Sequence, residues 1–123
     1  MNINIRSIPA FEKISELSIQ KLEKNCKILN YKIGKPICEE GSIPNQILVI
    51  LSGEARLLRN SANGLSTIAK LKSDSFIGLS SLLSENGSEQ VSASKELMAL
   101  AFPEKLILEI FNSDKEFQEW CNK

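Results

Sequence analysis

The spacing of short apolar runs between residues 26 and 102 constrains the fold more than any other feature of the sequence. The runs recur about every ten residues and are separated by glycines; they are residues 28–29, 47–51, 55–58 and 68–71. Each run suits a short strand, and short strands with regularly spaced turns are typical of an antiparallel sandwich or barrel. The sequence therefore predicts a mainly β fold with several short antiparallel strands.

The dipeptide Asn63-Gly64 gives the sharpest local prediction. It lies between two apolar segments, residues 55–58 and 67–71. Asn and Gly both tolerate the positive φ angles that tight hairpin turns require. We expect a β-hairpin with its turn at these two residues.

Helical periodicity is confined to the two ends of the chain. Between residues 7 and 25 the apolar side chains recur near the helical period, which predicts two short helices, the second capped by Ser15 or Ser18. Pro103 suits a first helical position, and a last helix is predicted over Lys115–Cys121. We expect one domain over residues 1–123, with helices at 7–25, strands at 26–102 and helices again at 103–122.

The absence of histidine excludes several enzyme classes. Ser-His-Asp and Cys-His nucleophilic sites, HExxH zinc sites and imidazole general bases all need this residue. We interpret the adjacent carboxylates Glu39 and Glu40 as a solvated strand end and residues 52–54 as a turn between strands. We therefore expect no enzyme activity, no metal ion and no cofactor.

Charge and cysteine usage point to a cytoplasmic protein. The 15 Lys and Arg balance the 15 Asp and Glu, and the cations are scattered, so nucleic acids and acidic membranes are disfavoured as partners. No stretch approaches the roughly 18 apolar residues of a membrane span, and the first residues contain no long apolar h-region of the kind found in signal peptides. Cys26, Cys38 and Cys121 are too widely spaced for a disulfide framework or a CxxC site, so we expect buried free thiols.

Several segments resemble the cyclic nucleotide-binding domain family of catabolite activators and protein-kinase regulatory subunits. They follow the order of that family across most of residues 10–112, and they are Tyr31-x-x-Gly34-x-x-Ile37, Glu40-Gly41, Ile47-Leu48-Val49-Ile50-x-Ser52-Gly53-Glu54-Ala55, Phe76-x-Gly78, Leu82-Leu83 and Leu97-Met98-Ala99-Leu100 before Pro103. The resemblance implies an eight-stranded antiparallel β-roll, similar to a jelly roll, with helices at both ends. This is the fold class that we expect: mainly β with flanking helices, an α+β arrangement.

The resemblance also implies a ligand pocket. In the family, a segment that begins at Phe-Gly forms a short helix and loop, here called the cassette, which holds a cyclic phosphate. The matching positions in this chain are Phe76, Gly78, Leu79, Ser80, Ser81, Glu89, Gln90 and Val91. The family has a Glu directly after the glycine, which accepts a hydrogen bond from the ribose 2′-OH, and an Arg about ten residues later, which pairs with the phosphate.

This chain departs from the family at both polar positions. Leu79 stands at the Glu position and cannot accept the ribose hydrogen bond, which costs roughly 1–3 kcal/mol for an unpaired hydroxyl. Glu89 falls at the Arg position, and its carboxylate repels a phosphate. We therefore expect a degenerate pocket that does not bind cyclic AMP or cyclic GMP in the usual way.

Other groups near the cassette leave alternatives open. Lys95 is the nearest downstream cation, but its spacing favours a strand edge, and Arg56 and Arg59 lie on the hairpin, far from the cassette in sequence. Gly78, Ser80 and Ser81 offer N–H and hydroxyl groups that either bind a different small ligand or only cap the short helix.

The resemblance implies a regulatory sensor or docking module of a larger bacterial protein. One hypothesis is a module of an ATP-driven toxin or peptide exporter; the alternative is the sensor half of a catabolite-activator-like transcription regulator that binds a cyclic nucleotide or other small effector. The expected partners are such an effector, the rest of the parent protein, contacted through the C-terminal helix, and a second copy of the chain. Phe117 and Trp120 either form an interface over residues 111–120 or fold back on the β-roll.

Overall fold

The computed structural model describes residues 4–39, 45–84 and 90–123. The N-terminal part contains two 3-10 turns, Ile5–Ser7 and Pro9–Phe11, and helix α1, Glu16–Asn25. Then follow β1 (Lys27–Tyr31), β2 (Pro36–Cys38), β3 (Gln46–Ser52), β4 (Ala55–Ser61), β5 (Gly64–Leu71), β6 (Phe76–Ile77), α2 (Leu79–Ser84), β7 (Gln90–Ala93) and β8 (Leu97–Pro103). The last two helices are α3 (Glu104–Ser113) and α4 (Lys115–Cys121).

The eight described strands form two four-stranded sheets. Sheet A has the strand order β1-β8-β3-β6, and sheet B has the order β2-β7-β4-β5. Every pairing between neighbouring strands is antiparallel. The predicted fold class, an antiparallel β-roll with helices at both ends, is confirmed.

Sheet A is buried on both faces, which explains the unbroken apolar runs of β3 and β8. Successive side chains of a strand point to opposite faces of its sheet. Leu48 and Ile50 face sheet B and belong to a roll-interior core, which also contains Ala55, Ile77, Val91, Ala99 and Ala101. Ile47 and Val49 face the helices and belong to a helix-side core, which also contains Phe11, Leu22, Leu82, Leu100, Phe102, Ile107, Ile110 and Phe117.

Phe11 lies at the centre of the helix-side core. Its side chain is fully buried, and its ring centroid lies 5.8 Å from that of Phe117 on α4 and 5.7 Å from that of Phe102 on β8. The Phe102 ring meets it edge to face, the arrangement that aromatic quadrupoles favour. Phe117 is also fully buried, so the alternative in which this residue folds back on the β-roll is the one found.

Asp114 joins the N-terminal and C-terminal helices. Its Oδ1 accepts hydrogen bonds from the backbone N–H groups of Glu116, at 3.1 Å, and Phe117, at 3.4 Å, and so caps α4. Its Oδ2 accepts from the N–H of Ser15, at 3.0 Å, and from the hydroxyl of Ser18, at 2.9 Å. Ser15 in turn caps α1, because its Oγ accepts from the N–H of Ser18 at 3.1 Å. The predicted cap at Ser15 is thus confirmed.

Three local predictions differ from the structure in detail. The first predicted helix is a pair of 3-10 turns, whereas the second forms as α1. Pro103 ends β8 and precedes the first turn of α3, where it needs no backbone N–H. The hairpin forms, but Ser61 pairs with Gly64, so the turn residues are Ala62 and Asn63 and the positive φ, 95°, lies at Gly64 alone.

Gly53 allows the β3–β4 turn to pack directly on the β7–β8 turn. Its φ is +94°, and a Cβ at this position would overlap the carbonyl oxygen of Glu96. The turns are also joined by the carbonyl of Glu54, which accepts hydrogen bonds from the N–H groups of Ser94, at 2.9 Å, and Lys95, at 3.2 Å. This contact requires glycine for both conformation and space.

Substitution of Gly53 by alanine tests the contact between the β3–β4 turn and the β7–β8 turn. We expect Gly53→Ala to lower the free energy of unfolding by roughly 3 kcal/mol or more, because it combines positive-φ strain with a backbone overlap. Gly34→Ala is the matched control, since Gly34 has a φ of +86° but nothing within 4 Å of the added Cβ. The control should lose only about 1–2 kcal/mol. Urea unfolding followed by Trp120 fluorescence measures both, and equal losses would contradict the packing argument.

Asp114 should make stability depend on pH in the acid range. Burial alone raises the pKa of its carboxyl, but the hydrogen bonds from Ser15, Ser18, Phe117 and Glu116 outweigh burial and hold the pKa below the usual value of 3.8. A lowered folded-state pKa means that the stabilisation is complete above the unfolded pKa and is lost as the pH falls through the folded one. We expect Asp114→Ala to cost about 2–3 kcal/mol near neutral pH.

The difference in unfolding free energy between wild type and Asp114→Ala should shrink below pH 4, as the native carboxyl is protonated. Glu119→Gln is the control, because it removes an exposed carboxylate from the same helix. Urea titrations from neutral to acid pH measure all three proteins. A difference that stays constant through this range would show that Asp114 acts without its charge.

Candidate functional site

The cassette begins where sheet A ends. Phe76 and Ile77 form β6, which pairs with Val49 and Leu48 of β3 at the sheet edge. Gly78 follows with a φ of +93°, a conformation that side-chain-bearing residues rarely adopt, and its carbonyl accepts from the N–H of Leu82 at 3.0 Å. The glycine thus turns the chain from the strand into α2.

Phe76 connects the cassette to both helical ends of the chain. Its ring centroid lies 5.8 Å from that of Phe11, in an edge-to-face arrangement, and 5.4 Å from that of Trp120. The Trp120 side chain is half-buried by this contact. The cassette therefore packs directly against the N-terminal 3-10 turn and against α4.

Leu79 and Leu82 direct α2 toward the same helices. Leu82 is nearly fully buried in the helix-side core, and Leu79 is half-buried against that core. Leu79 is not among the described side chains that pack against the roll interior. The residue at the Glu position of the family thus makes an apolar contact with the helix-side core.

The remaining described cassette positions have separate environments. Ser80 is exposed, and its carbonyl accepts from the Ser84 hydroxyl at 2.7 Å, whereas Ser81 is fully buried. Gln90 and Val91 begin β7; Gln90 is half-buried, and Val91 is fully buried in the roll-interior core. The predicted positions Glu89 and Glu40-Gly41 lie outside the described residues.

Lys95 lies outside the described part of the cassette. It is in the turn between β7 and β8, and its Nζ lies 3.5 Å from the Glu54 carboxylate. The Lys95 side chain is 71% exposed, whereas the Glu54 side chain is only 10% exposed. The cation therefore balances a nearly buried carboxylate, which supports the prediction of a strand-edge position.

Arg56 and Arg59 are closer to the cassette than their sequence separation implies. Strand β4 pairs with β7, which places Arg56 opposite Ser92 and Leu58 opposite Gln90. Arg59 lies one residue beyond that last pair, so the pairing brings two arginines that are far from the cassette in sequence close to its C-terminal end. Local sequence patterns carry no signal for this pairing, because it joins strands more than 30 residues apart.

The thiols have the properties of structural cysteines. Burial raises the pKa of Cys121 to about 11, and burial also raises the pKa of Cys26. Both thiols are therefore protonated near neutral pH and are weak nucleophiles and metal ligands. Cys38 is buried, and all three cysteines are free of disulfide bonds.

A separate cavity opens between β1, β2 and β3. Its volume is about 210 Å³, and its described walls include Tyr31, Glu39 and Gln46 but none of the cassette residues. Burial raises the pKa of the Tyr31 hydroxyl, which therefore stays protonated and able to donate a hydrogen bond.

Among the described helices, none has the length and apolar character that crossing a membrane requires.

Three solved structures illustrate the likeness in fold. The N-terminal domain of a transcriptional regulator from Streptomyces coelicolor A3(2) superposes with a TM-score of 0.72 at 20% identity, covering 94% of this chain and 82% of that one. The catabolite activator protein of Thermus thermophilus gives 0.70 at 25% identity, covering 85% and 50%. The regulatory subunit of a cAMP-independent protein kinase A from Trypanosoma cruzi, bound to guanosine, gives 0.75 at 12% identity, covering 95% and 45%.

The chain thus spans about half the length of the activator and of the kinase subunit. No curated protein sequence matches it significantly. The cyclic nucleotide-binding domain family matches residues 28–114, from β1 to the residue that caps α4. That family is a binding and regulatory one rather than a catalytic one. Since the match covers most of the sequence, this chain belongs to the cyclic nucleotide-binding domain family.

Proposed function

We propose that this domain is a regulatory docking module whose cassette does not bind cyclic AMP or cyclic GMP in the usual manner of its family. The packing of Leu79 is the observation that carries the proposal. At the position where the resemblance implies a carboxylate facing the ribose, an apolar side chain contacts the helix-side core. A ribose 2′-OH would find no acceptor there.

The residue at the family's Arg position and the ion pair of Lys95 support the same conclusion. The sequence has Glu89 where the family has its phosphate-binding Arg, and Lys95 is engaged by Glu54 in another turn. Loss of the ribose partner costs roughly 1–3 kcal/mol, and loss of a charge-assisted Arg–phosphate pair costs more than a neutral hydrogen bond. Because about 1.4 kcal/mol is a tenfold change in affinity, the two losses together lower affinity by roughly a hundredfold or more.

The apolar contacts of the cassette suggest how the module works without a nucleotide. Phe76, Leu79 and Leu82 all pack against the core that holds α3 and α4. The position of the C-terminal helices is then set by side-chain packing within the domain rather than by a bound ligand. In this proposal the module presents a constant surface to the rest of its parent protein.

Two parent proteins remain as hypotheses. One is an ATP-driven toxin or peptide exporter, in which the domain is a cytoplasmic module. The other is a transcription regulator, and the likeness in fold to the Streptomyces and Thermus proteins favours it. The full-length sequence discriminates between them: a helix-turn-helix beyond residue 123 supports the regulator, and membrane spans with an ATPase domain support the exporter.

A neutral nucleoside is a second candidate ligand. The Trypanosoma cruzi kinase subunit is described as cAMP-independent and bound to guanosine. A nucleoside carries no phosphate, so the carboxylate of Glu89 does not repel it as it repels a cyclic nucleotide. Its ribose 2′-OH still lacks an acceptor at Leu79, so only one of the two objections is removed. Guanosine therefore belongs in the same titration.

Calorimetric titration with cyclic AMP, cyclic GMP and guanosine tests the proposal. We expect no heat of binding with either cyclic nucleotide for the wild type. The variant Leu79→Glu plus Glu89→Arg should regain affinity for a cyclic nucleotide by roughly a hundredfold, because it restores the ribose acceptor and the phosphate partner. Leu79→Glu also removes an apolar contact, so thermal melts should show a less stable variant that cyclic nucleotide restabilises.

The matched control is Ser80→Glu plus Glu89→Arg, which makes the same charge changes but places the carboxylate on an exposed neighbour. It should not bind a cyclic nucleotide. Saturable binding of cyclic AMP or cyclic GMP to the wild type would overturn the proposal. If neither double variant binds, the loss of affinity has causes beyond these two positions, and the assignment to Leu79 and Glu89 is wrong.

A further inference from the structure

The β4–β5 hairpin concentrates positive charge in a chain whose net charge is zero. Residues 55–71 contain Arg56, Arg59 and Lys70 and no acidic residue. The rest of the chain is therefore net acidic. We call residues 55–71 the cationic hairpin.

The cations of this hairpin are not neutralised within the described part of the domain. Arg56 and Lys70 lie directly opposite each other on neighbouring strands, a like-charge pair that destabilises a sheet. Both side chains are exposed, as is that of Arg59. The ion pairs among the described residues join Arg6 to Glu16, Lys21 to Glu109 and Lys95 to Glu54, so none includes these three cations.

The outer strand of the hairpin is an open sheet edge. Among the described strands, β5 pairs only with β4. An edge strand directs half of its backbone N–H and C=O groups away from its sheet, where a further strand can pair with them. The edge of β5 thus offers a template for an extended peptide.

Apolar side chains accompany that edge. Leu65 is 56% exposed and Ile68 is 47% exposed, and these are two of the five large hydrophobic side chains exposed among the described residues. Ala69 and Thr67 pair with Leu57 and Leu58, which leaves Ile68 without a partner, as in a β-bulge. Apolar groups beside unpaired backbone groups are the features that give affinity and specificity when a peptide adds to a sheet.

We propose that the cationic hairpin docks an acidic, extended segment of a partner protein along β5. Backbone pairing with β5 would hold the segment, Leu65 and Ile68 would contact its apolar side chains, and its carboxylates would lie near Arg56 and Lys70. A second copy of the same hairpin is a poor occupant, because it would bring three further cations to the same edge. Lys70 on the edge strand is also a feature that discourages pairing between identical edges, since it would repel its own copy.

This inference names a partner class for the proposed docking module and so rests on that role. Its test is nevertheless distinct from that of the cassette, because it measures peptide binding and changes no cassette residue. Binding of a cyclic nucleotide would overturn the proposed function and leave the hairpin result intact. Conversely, a hairpin that binds no acidic peptide leaves the nucleotide titration unaffected.

Fluorescence anisotropy with a labelled synthetic peptide tests the proposal. The probe is a peptide of about eight alternating glutamate and valine residues, a length that matches one strand. We expect saturable binding to the wild type that weakens as the salt concentration rises from about 50 to about 300 mM, because exposed ion pairs are screened. Arg56→Glu plus Lys70→Glu should weaken binding by at least about tenfold.

The charge-matched control is Lys32→Glu plus Lys105→Glu, which makes the same change in net charge at two exposed lysines outside the hairpin. It should bind the peptide as the wild type does, and circular dichroism should show that both variants are folded. A peptide N-methylated at alternate residues should lose binding, because it cannot complete the backbone ladder.

Four results would overturn the proposal. They are the absence of peptide binding, equal weakening by the two double variants, full binding of the N-methylated peptide, and equal binding of a duplex DNA oligonucleotide or of phosphatidylserine vesicles, which would show a general attraction to anions. Sedimentation of the protein alone tests whether a second copy of the chain occupies the edge. A dimer whose stability changes in the Arg56→Glu plus Lys70→Glu variant would assign the edge to a second copy instead.

Discussion

The packing around Phe11 is the interaction on which the helix-side core depends. This ring contacts Phe76 of the cassette, Phe102 of sheet A and Phe117 of α4, with centroid distances of 5.7–5.8 Å. Because dense packing transmits displacement between neighbours, none of these elements can move without disturbing the others. Asp114 adds a polar connection between α1 and α4. The N-terminal turn, the cassette and the last helix therefore form one packed unit.

Retention of the fold and the proposed loss of the family's ligand contacts have separate physical origins. The roll depends on apolar burial on both faces of sheet A and on glycines at 53 and 78, whose positive φ values few other residues tolerate. Cyclic nucleotide binding in the family depends instead on two polar side chains, which contribute to affinity more than to folding. Leu79 shows the consequence, because its apolar side chain contributes to the helix-side core. The docking surface that we infer lies away from both cores, on the exposed edge of β5.

Much of the fold could be predicted from local patterns, and much of the site could not. Turn chemistry predicts the hairpin at residues 63–64, and capping preferences predict the Ser15 cap. The continuous apolar runs of β3 and β8 follow from burial on both faces of their sheet. The turn differs from the prediction by one residue, and its positive φ lies at Gly64. The proximity of Arg56 and Arg59 to β7 could not be predicted, since it depends on a pairing between distant strands. The environment of Leu79 likewise depends on the helix-side core, which brings together residues from distant parts of the chain.

The sequence by itself determined the fold class, the family and the chemical type of each cassette residue, because periodicity, turn residues and side-chain identity are local properties. Only the tertiary structure decided where those residues point and what they meet. It packed Leu79 against the helix-side core, paired Lys95 with Glu54, buried Phe117 and left β5 as an open cationic edge among the described strands. These outcomes follow from long-range strand pairing and packing, whose energies depend on residues that are distant in the chain.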